Sequence, residues 1–260
     1  MSQFQAPGTI SAIWAQLGIV EAIRGRPASS RAAYAAALDY ARQVGRPDRT
    51  VRVQLEHAEA EFFVLGEGAQ AWAALQPILE LTPPDTGIVR RFHARAQAVV
   101  KAICVSGTAA LVESGDTFGC DAPLRTDSLL DNIETLEGLG WEAVRTGQFD
   151  DALRIAREPI LARAGGPGLR ARAPSAVAFE TLGLPSSAAA IYGEISRGTF
   201  GLTDRASSVF ALKSFALQKL VALGAEGAEE ARAELRRMWA DAEPAFVERV
   251  VIPLLGENGR

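Results

Sequence analysis

The stretch GLGWEAVRTGQFDDAL, residues 138–153, decides the fold. Together with Leu136 just before it, it places Leu136, Leu139, Gly140 and Ala143 at helical spacing, with one apolar face. Gly147 interrupts that run, and Phe149 and Ala152 begin another. A glycine there supplies the positive φ at which a helix ends. The stretch therefore reads as two helices and a tight turn. The small residues Gly140 and Ala152 are expected to meet in one close contact between them. Such a pair cannot bury its apolar face alone, so pairs must stack.

Working outward, turn glycines recur at Gly25, Gly66, Gly107, Gly147, Gly183 and Gly224, spaced 41, 41, 40, 36 and 41 residues apart. Around them stand Trp14, Leu17 and Gly18 in the first unit. The second has Leu55, Phe62, Ala71, Leu75 and Pro83, and the fifth has Ala176, Phe179, Ala188 and Tyr192. The third and sixth units are degenerate.

These residues resemble the tetratricopeptide-repeat superfamily, whose units carry Trp, Leu-Gly, an aromatic, a turn Gly, a small Ala and Pro in that order. The likeness covers residues 8–241. Its spacing exceeds the standard period of about 34 residues. The stretch YAAALDYARQVGRPDRT, residues 34–50, also resembles the long-repeat domains of bacterial regulators related to the maltose activator. The resemblance implies an all-α, right-handed α-solenoid of about six antiparallel helix pairs with a C-terminal capping helix.

Composition agrees with helix. Ala, Leu, Glu and Arg dominate, and these are strong helix formers. The chain has 260 residues, 48% of them hydrophobic and 22% charged, enough for a sizeable core and unlike a disordered chain. A formal net charge of −4 and a pI near 5.4 give no general basic excess for nucleic acid. Arg24, Arg26 and Arg31, or Arg90, Arg91 and Arg95, leave room for a local basic patch. No apolar run approaches the roughly 20 residues of a membrane span. Residues 1–10 do not read as a signal peptide. Cys104 and Cys120 form no metal or redox motif and are expected to be buried free thiols, which suits the cytoplasm.

One domain over residues 1–260 is expected, with an irregular loop at 107–126 and a joint at 164–174, where AGGPGLRARAP gathers Gly and Pro. Ser29 or Ser30 is expected to cap the second helix. Residues 243–255 read as the terminal cap.

Motifs for catalysis or cofactors are not found. The string GEGAQA at 66–71 follows a helix and not a strand, so it fails the context of a dinucleotide site. His57 and His93 read as structural. Glu56 and Glu59 form an i, i+3 acid pair, but no Glu-x-x-His accompanies them. No catalytic, metal or cofactor site is expected.

The resemblance instead implies a concave groove lined by the first helix of each pair. That register selects Glu56, Ala60, Gln97, Lys101, Glu137, Trp141, Arg145, Glu180 and Gln218 as partner-binding residues, with Lys101, Glu137, Trp141 and Arg145 on one exposed wall. Trp141 is either a binding hot spot or a packing residue. The function expected is non-enzymatic: a protein–protein interaction module that takes a partner protein or peptide segment, without nucleic acid or membrane. The alternative is a regulatory sensor for a small molecule or short peptide.

Overall fold

Glycine and proline punctuate the chain as a repeated device. Gly25-Arg26-Pro27, Gly45-Arg46-Pro47 and Gly183-Leu184-Pro185 each end one helix and begin the next. Glycine stops the first helix at positive φ, 72°, 69° and 72° respectively. One non-helical residue follows, and proline takes the first helical position, where no N–H is needed. Gly66, Gly147 and Gly224 also have positive φ. The expected turn conformation is therefore present at five of the six ladder positions, and Gly107 lies outside the described residues. After Gly25, Gly147 and Gly183 the next N–H reaches back five residues, as Arg26 to Glu21 (2.9 Å), Gln148 to Ala143 (2.7 Å) and Leu184 to Phe179 (2.9 Å). This satisfies carbonyls that a helix end would otherwise leave bare.

The computed structural model describes residues 7–81, 87–106, 120, 121, 124, 133–163, 166–198 and 206–256. Among these all regular structure is helical. The elements are α1 (Pro7–Ile23), α2 (Pro27–Val44), α3 (Pro47–Glu59) running on through a π-turn (Ala60–Val64), α4 (Gly68–Leu79) and α5 (Ile88–Val105). Then come α6 (Ile133–Arg145), α7 (Phe149–Ile155), α8 (Pro159–Arg163), α9 (Gly166–Thr181), α10 (Pro185–Arg197), α11 (Ala206–Leu223) and α12 (Ala228–Met238). The chain finishes with α13 (Pro244–Phe246), a second π-turn (Val247–Val251) and α14 (Ile252–Leu255). Helices adjacent in the chain pack as neighbouring pairs, and α6 also packs on α9.

Close contacts rest on small residues. A Cβ on Gly18 would stand 2.8 Å from the Tyr34 ring, so α1 and α2 meet as the first unit's Leu-Gly predicts. Gly140 is also a tight site, but its partner differs from expectation. A Cβ there would meet Pro174 of α9 at 3.0 Å, whereas Ala152 packs with Ala143, Val144 and Ala178.

Within the segment expected to hold a joint, 164–174, the chain is helical from Gly166 onward, with Pro174 inside α9 and its ring against Gly140. One further expectation is corrected, because the second helix is not capped by its own serines. Ser30 donates to the Gly18 carbonyl at 2.8 Å. The Glu243 carboxylate accepts the N–H groups of Ala28 (3.1 Å) and Ser29 (3.3 Å) from the far end of the chain.

That last contact belongs to a closure. The Glu243 N–H donates to the Gly25 carbonyl at 2.9 Å, and Arg24 pairs with Asp241 at 2.9 Å. Phe246 lies against Gly25, where no side chain would fit. Helix α11 rests on α1 and on the first π-turn, with Gln218 donating to the Val64 carbonyl at 3.1 Å. The C-terminal segment thus covers turns of the first units, not only the face of the last.

Candidate functional site

The register that selects the groove residues takes them into the interior. Lys101, Glu137 and Trp141 are each 2% exposed, Glu56 is 3% and Ala60 is 0%. Gln97, Arg145, Glu180 and Gln218 are half-buried. The expected exposed wall is therefore corrected at Lys101, Glu137 and Trp141. The physical reason is helix packing, since α5 and α9 both pack on α6 and the selected register falls on those contacts, as Lys101 with Glu142 and Glu137 with Arg170. Trp141 joins the main core, and its indole N–H finds no acceptor among the described residues.

Glu137 belongs to a buried quartet of charges. Arg170 of α9 donates from Nε (2.9 Å) and Nη2 (2.6 Å) to one Glu137 oxygen, and from Nη1 to Glu59 at 2.7 Å. Arg95 of α5 closes on Glu59 with two hydrogen bonds, one of 2.6 Å from Nε and a shorter one from Nη2. All four side chains are at most 7% exposed. Buried ions persist only when paired and fully hydrogen-bonded. Burial pushes the Glu59 carboxyl up, but the charges of Arg95 and Arg170 outweigh it and hold the group below its usual range. At Glu137 burial wins, and the carboxyl sits above its usual range despite Arg170. Sequence reading missed Arg95, Arg170 and the true role of Glu59. The one available signal was Arg95 standing among Phe92, Ala96 and Val99 on an apolar face.

The other selected residues disperse. Glu56 accepts from Arg52 at 2.7 Å. Glu180 accepts from Lys219 at 3.0 Å and from the Tyr192 hydroxyl. His57 lies 3.2 Å from Glu61 and stacks on Tyr34, its ring centroid 4.8 Å away. Glu61, wholly buried, also takes Arg31 in a two-pronged pair at 2.8 and 2.9 Å. Burial raises its carboxyl, and the hydrogen bonds from His57 and Arg31 more than reverse this.

Only Lys101 and Arg145 stay together in a way that faces another segment. Glu142 lies between them, 3.1 Å from Lys101 and 2.7 Å from Arg145. The hydrogen bond from Arg145, ahead of the opposing effect of burial, holds Glu142 below its usual range. Two residues of the chain's own 107–126 stretch rest on this pair and a third rests on Gly138 of α6. Lys101 donates to the Cys120 carbonyl, Arg145 pairs with Asp121 at 3.0 Å, and Leu124 covers Gly138, a Cβ on which would meet it at 3.1 Å. The rest of the expected 107–126 loop lies outside the described residues. Cys120 is bonded to Cys104 of α5, which overturns the expectation of two free thiols. The sixteen-residue gap concealed the pair, because only folding returns residue 120 to the flank of α5.

Among the described residues, no group of three or more His, Cys, Asp or Glu is placed to hold a metal, and no helix is long and apolar enough to cross a membrane. A separate cleft of about 780 Å³ runs between α10, α11 and α12, edged by Glu194, Arg197, Lys213, Glu226, Glu230 and Glu234. No family model matches the chain, and neither does any curated protein or solved structure.

Proposed function

We propose that the protein is a non-catalytic binding module of tetratricopeptide-like, right-handed helical build. It receives an extended acidic segment of a partner protein on the face shared by α5 and α6. The observation that supports this is the seating of Cys120, Asp121 and Leu124. A main-chain carbonyl meets a lysine, a carboxylate meets an arginine, and an apolar side chain fills the hollow over a glycine. Those are the contacts by which a groove holds an extended peptide: backbone polarity for affinity, side-chain pockets for selection. We place its action in the cytoplasm, where a disulfide acts as a transient, redox-sensing bond.

The test is calorimetry of the dithiol-reduced protein with synthetic extended peptides that carry Asp and, three residues on, Leu. Binding is expected, and Arg145→Glu should weaken it by about tenfold or more, since like charges replace an ion pair. Indifference to that change would end the reading. The cleft beside Lys213 favours a second reading, a sensor for a small cationic molecule. Four glutamates edge that cleft against Arg197 and Lys213.

A further inference from the structure

The contacts at residue 120 combine a covalent bond and a recognition contact on one amino acid. Its sulfur is bonded to Cys104, and its carbonyl accepts from Lys101. One residue later Asp121 reaches Arg145. We infer that Lys101 and Arg145 form a carboxylate-peptide site which the chain itself occupies, and that the Cys104–Cys120 bond is the latch. The inference rests on the binding reading above and names how that site is regulated.

The latch chemistry balances with a dithiol as reductant. Its thiolate attacks one sulfur, the Cys104–Cys120 bond breaks, and the second thiol of the reductant closes to release a cyclic disulfide. Two electrons and two protons pass to the protein, leaving S–H on each cysteine. Both cysteines are half-buried and not sealed within the core, so a small dithiol can reach them. Two thiols occupy more room than one disulfide, so Cys120 must withdraw from α5. Withdrawal takes with it the carbonyl that Lys101 holds.

Among the described residues, the ion pair left on Arg145 is a wet one. The Asp121 side chain is 75% exposed, and an ion pair so wetted holds little. The cross-link shortens the tether that holds the segment to α5, and its loss lowers the effective concentration of the segment over Arg145. Among the described residues, that face has two cations, Lys101 and Arg145, with the acid Glu142 between them. Beside them is the apolar seat at Gly138 that Leu124 vacates. Charge and spacing together select a partner with a carboxylate followed three residues later by an aliphatic side chain. In the oxidised protein the segment bearing Asp121 and Leu124 is that ligand in cis.

The chain has three lysines, Lys101, Lys213 and Lys219, which permits a test that needs no partner. Each amine is acylated with an N-hydroxysuccinimide ester and followed by peptide mass spectrometry, before and after dithiothreitol. Lys101 should label up to about a hundredfold faster after reduction, the scale expected from losing a cross-link of this loop length, while Lys213 and Lys219 hold their rates. The Cys104→Ser/Cys120→Ser protein should behave as reduced without any reductant, with circular dichroism reporting that it is folded. Equal Lys101 rates in oxidised and reduced protein, or all three lysines rising together, would overturn the latch. If Lys101 opens and the Asp-x-x-Leu peptide still fails to bind, the latch stands and the acidic-partner reading falls.

Discussion

Arg170 and Glu59 stand 111 positions apart in the chain and 2.7 Å apart in space. Through Arg170, Glu59 of α3 is tied to Glu137 of α6, and through Arg95 to α5. Four helices are thus pinned at one dry point. Hydrophobic contact tolerates sliding, whereas a two-pronged guanidinium pair fixes distance and angle.

Arg170→Met should therefore be costly. It leaves Glu137 without its hydrogen-bonded cation and Glu59 with Arg95, inside the protein. Removing one partner of a buried pair typically costs about 3–5 kcal/mol, and urea denaturation should show a loss in that range. Replacing Glu137 by Gln along with Arg170 by Met should recover part of it, since one uncompensated charge is gone. A loss below about 1 kcal/mol, the worth of a surface pair, would mean that water reaches the quartet.

Acid should act on the quartet in two stages of opposite sign. Glu137 sits above its usual range in the folded protein, so on acidification it binds a proton before its unfolded counterpart does, and stability rises through that window. Glu59, Glu61 and Glu142 sit below their usual range. Their contribution is present above the unfolded value and is lost as pH falls through the folded one. Denaturation midpoints should thus hold or climb on entering the ordinary carboxylate range and drop beneath it. Glu137→Gln should abolish the early climb and keep the late drop. An unaltered profile would show that Glu137 titrates normally.

The turn glycines separate backbone strain from crowding. Around Gly147 nothing lies within 4 Å of an added Cβ, so Gly147→Ala bears only the positive φ of 75°, about 1–2 kcal/mol. At Gly25 the φ is similar, and a Cβ would also stand 2.6 Å from Phe246 and 2.8 Å from Ala242. Gly25→Ala should add an overpacking cost of about 1–3 kcal/mol and loosen the C-terminal helices, as read by hydrogen exchange. Equal losses for the two variants would show that the closure yields easily.

At Gly140 the comparison is between alanine and leucine. Alanine gains about 1 kcal/mol of helix propensity over glycine. Its Cβ, however, meets the Pro174 ring at 3.0 and 3.1 Å, and that ring has no rotamer by which to move aside. Gly140→Ala should leave stability nearly unchanged, and Gly140→Leu should lose about 1–3 kcal/mol or more. Chemical denaturation decides. Unchanged stability of the leucine protein would place Gly140 outside any tight contact.

The contrast between what was legible and what was not follows the range of each interaction. Gly25, Gly66, Gly147, Gly183 and Gly224 act through their own φ, and Gly18 acts on Tyr34 only sixteen positions away, so residue order alone displays them. Helix periodicity is likewise local. The choice of Glu59 for Arg95 and Arg170, and of Glu243 for the start of α2, is made between distant segments and leaves no periodic trace. Trp141 shows the limit well. Its place on a helix face was readable, yet whether it met a partner or the core depended on how α5 and α9 pack on α6. Pro174 shows a related limit, because a proline that fills space and a proline that ends a helix look alike in a string of letters.

The bonds from Asp241 and Glu243 to the turn at Gly25, and the Phe246 ring against it, have a kinetic meaning. In an open array the first pairs can be finished while later ones are still being made, and an end pair can come loose without the others noticing. Here the turn at Gly25 acquires its final neighbours only after a further 215 or so residues have been synthesised, at about 5–20 residues per second. Until then Gly25 and the start of α2 stay wet. Translation delivers a half-dressed molecule for many seconds, and its last helices complete its first.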